Sequence, residues 1–222
     1  MSKAGSRTAE RLYKFLRPNA VAPFSGVTWR AGEWVEAHGQ LVACVNGVHV
    51  CRIRDLPYWL ADELWEVEVA GERREGAQKL VVERACLRER VEGWPRPIAR
   101  ALATDCLWRV RNLAVAELRR LNEREADELE ACSGIRELKE VAERAARRRR
   151  PDRPAAAADY IGFVLDACSF APERAARAAR YISYVAAHAA DRATPDRRLA
   201  PGESRFASER SRQARLLEGL LG

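Results

Sequence analysis

Residues 44–72, CVNGVHVCRIRDLPYWLADELWEVEVAGE, bring two cysteines and a histidine together with Tyr58, Trp59 and Trp65. Thiolate and imidazole are the donors zinc prefers, so Cys44, His49 and Cys51, spaced C-x4-H-x-C, offer three of the four ligands of a metal site. A fourth ligand would have to come from His38, Asp55 or Cys86, and no second C-x2-C or H-x3-H pair closes the tetrahedron. No metal is therefore expected. An imidazole beside a thiol can also make a nucleophile of Cys51. On a strand, however, residues i and i+2 stand parallel instead of pointing at each other, and no oxyanion loop adjoins them. Glu66 and Glu68 share a strand face as well, which suits either an acid/base pair or a solvated surface.

The elements that must position these groups follow from periodicity. Along GVHVC the side chains alternate, so Val48 and Val50 point one way while His49 and Cys51 point the other. Asp55 and Pro57 suit the start of a helix. In LWEVEV, Trp65, Val67 and Val69 oppose Glu66 and Glu68. If the two strands are neighbours, His49, Cys51, Glu66 and Glu68 share one polar face, with His49 directed into a cavity.

Around this core, residues 1–10 read as a mobile tail and RLYKFL as a strand with Tyr13 and Phe15 on one face. Residues 18–47 carry the Gly, Pro, Asn and Ser of turns and short strands, and KLVVERACLRERV adds a strand or hairpin. Beyond Pro97 the period becomes helical. Ile98, Leu102, Leu107, Val110, Leu113, Leu118 and Leu121 mark one long amphipathic helix reaching to Ser133 and Gly134, and Ile135, Leu138 and Val141 restart the stripe. Three further helices are expected at Ala157–Cys168, Pro172–Ala193 and Glu203–Leu221. The fold class is α+β: a strand-rich module over 11–95, then a helical region over 96–222 with a linker near 147–156.

A chain of 222 residues with 47% hydrophobic content is long enough to bury a core. Four lysines leave 35 arginines among the 39 basic residues, a bias that GC-rich codons produce by themselves. The net charge of +7 lies mostly beyond Pro95. The absence of GxxxxGK[ST], GxGxxG, HExxH and GxSxG removes the readings that rest on them. With no apolar signal segment and no membrane-length apolar run, a cytoplasmic location, no membrane partner and free cysteines are expected. Arg147, Arg148, Arg149, Arg150 and Arg153 form a basic tract that would attract phosphates, so a basic module contacting nucleic acid weakly is one reading.

At GVHVCR, DLPYWL, LWEVEVAGE and FASERSRQARLL, and in its YKFL strand and PFSG-W segment, the chain resembles a family of bacterial proteins from GC-rich genomes, and that resemblance implies no activity. At the level of fold, Gly47–Cys51, Tyr58 and Leu64–Gly71 are similar to the glycine-led strand, tyrosine-bearing helix and glycine-ended strand that line the nicotinamide cleft of ADP-ribosyltransferases. This second resemblance implies NAD as cofactor, held by Tyr13, His49 and Tyr58. Tyr13-Lys14-Phe15 stands where those enzymes carry a histidine or arginine.

The residues themselves favour a binding module for a nucleotide-like small ligand or a protein partner, with no resident cofactor. Tyr13, His49, Cys51, Tyr58, Glu66 and Glu68 are the candidate ligand contacts.

Overall fold

The computed structural model describes residues 10–148, 151–170, 175–193 and 204–222. The terminal tail up to residue 9, and Arg149 and Arg150 of the basic tract, lie outside the described residues. The fold is α+β, an antiparallel five-stranded sheet followed by a helical region. Two compact units divide at residues 92 and 93.

In the first unit, β1 (Leu12–Leu16), β2 (Trp34–Glu36), β3 (Val48–Val50), β4 (Glu63–Gly76) and β5 (Lys79–Arg90) are joined by loops and by a 3-10 helix at Ile53–Tyr58. β4 and β5 form a long hairpin whose connection is only Ala77 and Gln78, with Gln78 at φ 60°. The free edge of β5 takes β3 along Leu80–Val82 and β2 along Arg84–Cys86, while β1 takes the free edge of β4. Tyr13 and Cys51 exchange backbone hydrogen bonds of 2.8 and 2.7 Å, which joins β3 back to β1. The circuit β1–β4–β5–β3–β1 is therefore closed, and the sheet curls into a small barrel.

Alternation fills that barrel. Leu12, Leu16, Val48, Val50, Val67, Leu80, Val82 and Leu87 point inward and are buried with Trp29 of the loop after β1. That loop is pinned by the buried Glu63 carboxylate, which accepts the backbone N–H groups of Asn19 and Ala20 and the Trp65 indole N–H. Without those donors a carboxylate in this position would be strongly disfavoured.

This topology corrects the expected shared polar face. β3 lies beside β5, not β4, because strands joined by a two-residue turn pair with each other first and leave β3 only the outer edge. Glu66 and Glu68 thus belong to a strand that His49 and Cys51 never adjoin.

The second unit is made of α1 (Pro97–Arg120), α2 (Glu125–Glu130), α3 (Ile135–Arg147), α4 (Ala155–Cys168), α5 (described over Ala175–Arg192) and α6 (Arg205–Leu221). Among its described residues there is no strand. The stripe expected to run to Ser133 breaks sooner, at Asn122, whose φ of 57° ends α1. Asn tolerates this left-handed backbone better than most residues, so the break costs little and carries no Gly or Pro as warning. Buried alanines along α5, among them Ala179, Ala186 and Ala190, let it pack closely on α1.

Candidate functional site

Lys14 sits between Leu12 and Leu16 on β1, on the face that alternation turns into the barrel. An ammonium there must be satisfied. It donates to the His49 carbonyl at 2.7 Å and lies 4.7 Å from the centre of the Trp29 ring, a cation–π distance. Burial pulls its pKa from the usual 10.5 down to about 8. Lys79, the first residue of β5, is only 6% exposed. Its ammonium lies 4.8 Å from the centre of the Trp59 ring, whose indole N–H is fixed by the Gln78 carbonyl at 2.6 Å.

These two lysines open onto one cavity of about 680 Å³, a size that suits a small ligand. Phe24, on the loop after β1, meets Trp59 edge to face at 6.1 Å and is 85% exposed at the cavity's edge. Among the described ion pairs neither Lys14 nor Lys79 has a carboxylate partner. The one acid on the lining, Glu36, is held by Arg84 at 3.4 Å. The wall is thus cationic and aromatic, with no counter-ion for the two ammonium groups among the described residues.

His49 also lines this space. Its Nε2 accepts the Cys44 backbone N–H at 3.3 Å, which leaves Nδ1 as the protonated nitrogen. Burial, reinforced by Lys79 and Lys14, pushes its pKa down to about 4. The imidazole is therefore neutral at physiological pH and anchors the hairpin at 42–46 that carries Cys44. Cys51 lines the cavity too, but burial raises its thiol to about 12 despite Lys14, and this removes it as a nucleophile.

The other candidates fall elsewhere. Tyr13 is fully buried off the lining, with its hydroxyl unpaired and its pKa raised by burial. Tyr58, in the last turn of the 3-10 helix, is half-buried and also off the lining. Glu66 is paired with Arg11, and Glu68 with Arg88 at 2.7 Å on the exposed surface. In the basic tract, Arg147 pairs with Glu143 at 3.5 Å, Arg148 with Glu128 at 2.9 Å, and the half-buried Arg153 with Glu125 at 2.7 Å. Those arginines are engaged within their own unit. Among the described residues no group of three His, Cys, Asp or Glu side chains could hold a metal ion, and no helix is long and apolar enough to cross a membrane.

Lys14, Lys79, Trp29 and Trp59 are lining residues that reading the sequence did not single out as a site, and Cys44 was singled out only as a metal ligand. One signal for them does exist there: two of the only four lysines in an arginine-rich chain face this cavity. Lysine presents a compact point charge where arginine presents a broad planar fork, and the two are not interchangeable in a confined space. Comparison of the chain with protein-family models, curated proteins and solved structures gives no match.

Proposed function

We propose that the first unit is a binding module for a small anionic ligand with a planar ring, of the nucleotide class. The observation that carries this reading is the pair Lys14 and Lys79, each against an indole face on the wall of one cavity and neither with a carboxylate. A phosphate or carboxylate would supply the missing negative charge, and Trp59 and Phe24 at the edge offer surfaces for a ring. The exposed Phe24, with Val45 at 82% exposure, supports a second reading in which a protein partner inserts an acidic segment at the same opening. Transfer chemistry on NAD through Tyr13 and Tyr58 is not proposed, because both residues lie off the lining.

The test is thermal denaturation with and without ADP, NAD and adenosine. A ligand that binds only the folded state raises the melting temperature, and the rise grows with the logarithm of its concentration above the dissociation constant. The phosphate-bearing compounds should raise it and adenosine should not. Lys14→Met combined with Lys79→Met should abolish the shift. A shift that survives both substitutions, or no shift with either phosphate compound, overturns the proposal.

A further inference from the structure

All six cysteines are free, and five are buried; Cys44 is the exposed one. Burial raises the thiols of Cys51 and Cys106 to about 12 and that of Cys168 to about 11, so these are inert. Cys44 is placed differently. It stands at the tip of the tight hairpin closed by Val42 and Asn46, and its sulfur is on the cavity wall. Lys79 Nζ lies 3.0 Å from that sulfur.

A second observation concerns the charge on Lys79, whose described hydrogen bond is to the Cys44 sulfur. Lys79 is more than nine-tenths buried, its ammonium faces the cavity, and no described carboxylate pairs with it. A buried cation in this position calls for an anion from outside the chain. Held between the Trp59 ring and the Cys44 sulfur, it would draw an incoming anion to the same point where the exposed thiol waits.

We propose that Cys44 is a site of reversible thiol–disulfide exchange, selective for small disulfides that carry a carboxylate and a ring, with Lys79 as the positioning residue. The step balances without any further oxidant. The Cys44 thiol releases its proton to solvent, and the thiolate attacks one sulfur of the disulfide. A new bond joins that sulfur to Cys44 as the old sulfur–sulfur bond breaks. The other half leaves as a thiolate, so the small disulfide is the group reduced and Cys44 the group oxidised. The captured half, its carboxylate beside Lys79 and its ring beside Trp59, would fill the cavity. This inference rests on the reading of the cavity as an anion site and adds to it a covalent step at Cys44.

The experiment is a rate measurement on the full chain with dithiobis(nitrobenzoate), an anionic aromatic disulfide, and with dithiodipyridine, a neutral one. The folded protein should release one equivalent of aromatic thiolate quickly, and peptide mapping should place the adduct on Cys44. Cys44→Ser should release none on that timescale. Lys79→Met should slow the anionic reagent by roughly tenfold or more and the neutral one much less, as expected when a fixed charge steers its partner, while Lys79→Arg should keep most of the selectivity. A Lys79→Met protein that fails to fold would expose all six thiols and release correspondingly more product, so stoichiometry separates unfolding from a slowed reaction. An adduct on another cysteine, a Cys44 rate no greater than that of free cysteine, or equal slowing of both reagents by Lys79→Met overturns the proposal. Failure of nucleotides to raise the melting temperature would leave these rates untouched, so the two readings fail separately.

Discussion

Lys14 decides most of what the cavity can do at different pH. Its proton is lost near pH 8 in the folded protein, against 10.5 ordinarily, because burial penalises the charged form. An anionic ligand restores the balance by favouring the ammonium. Affinity for such a ligand should therefore fall as pH rises through about 8, and binding there should take up protons, which calorimetry in buffers of different ionisation enthalpy measures directly. His49 gives the opposite flank. Its folded pKa of about 4 lies below the ordinary 6.5, so between these values the unfolded chain binds the extra proton. Stability is unaffected by His49 above about 6.5 and is lost as pH falls from there towards 4. Melting temperature followed across that window should fall less steeply in His49→Gln, which keeps an acceptor for the Cys44 N–H. At this scale the sequence showed His49 as a polar residue in a valine strand, and alternation was enough to find it. Lys14 was hidden in LYKFL because its meaning depends on Trp29 and on loop segments far along the chain, which meet it only after the barrel closes.

Those loops are held by a few backbone positions, and Gly47 is the most exacting. It enters β3 at φ 138°, and a Cβ built there would stand 2.2 Å from the buried Val81 Cγ1. Gly47→Ala should cost about 1–3 kcal/mol, as overpacking against a fixed neighbour usually does. Urea denaturation would read that loss, and the nucleotide-induced rise in melting temperature should shrink because the hairpin bearing Cys44 and the strand bearing His49 shift together. Elements with strong periods were legible before folding: the alternation of LWEVEV became β4, and the leucine stripe after Pro97 became α1. What was not legible was partner choice. Nothing in GVHVC says that β5 will accept it, since the decision follows from the two-residue turn that commits β4 and β5 to each other. The end of α1 at Asn122 was equally silent, being a matter of one backbone angle.

Over the whole molecule, a net charge of +7 invites an expectation of nucleic-acid binding that the ion pairs weaken. Glu125 is fully buried at the start of α2 and receives Arg153 at 2.7 Å and Arg148 at 3.4 Å, with Glu123 3.7 Å from Arg153. Burial pushes the Glu125 carboxyl up, but its backbone hydrogen bond and the two arginines outweigh this and hold it below the ordinary value. Removing it leaves the largely enclosed Arg153 side chain with the Ala145 carbonyl at 2.8 Å and, as its remaining carboxylate, only Glu123 at 3.7 Å, so Glu125→Ala should destabilise by about 3–5 kcal/mol, while the surface substitution Arg147→Ala should stay within about 0.5 kcal/mol. Chemical denaturation distinguishes the two. The same pairing bounds any contact with phosphates. Each phosphate neutralised contributes about −0.9 to the slope of log affinity against log salt, and arginines already committed to carboxylates add little to that slope. Binding to duplex DNA should therefore be weak, on the order of 10⁻⁴ to 10⁻⁶ M at physiological salt, insensitive to sequence, and shallow in its salt dependence. Arg153→Ala should lower the unfolding midpoint and leave the slope unchanged. A steep slope that flattens in Arg148→Ala or Arg153→Ala, with stability intact, would instead show that these side chains leave their carboxylates to hold a phosphate backbone.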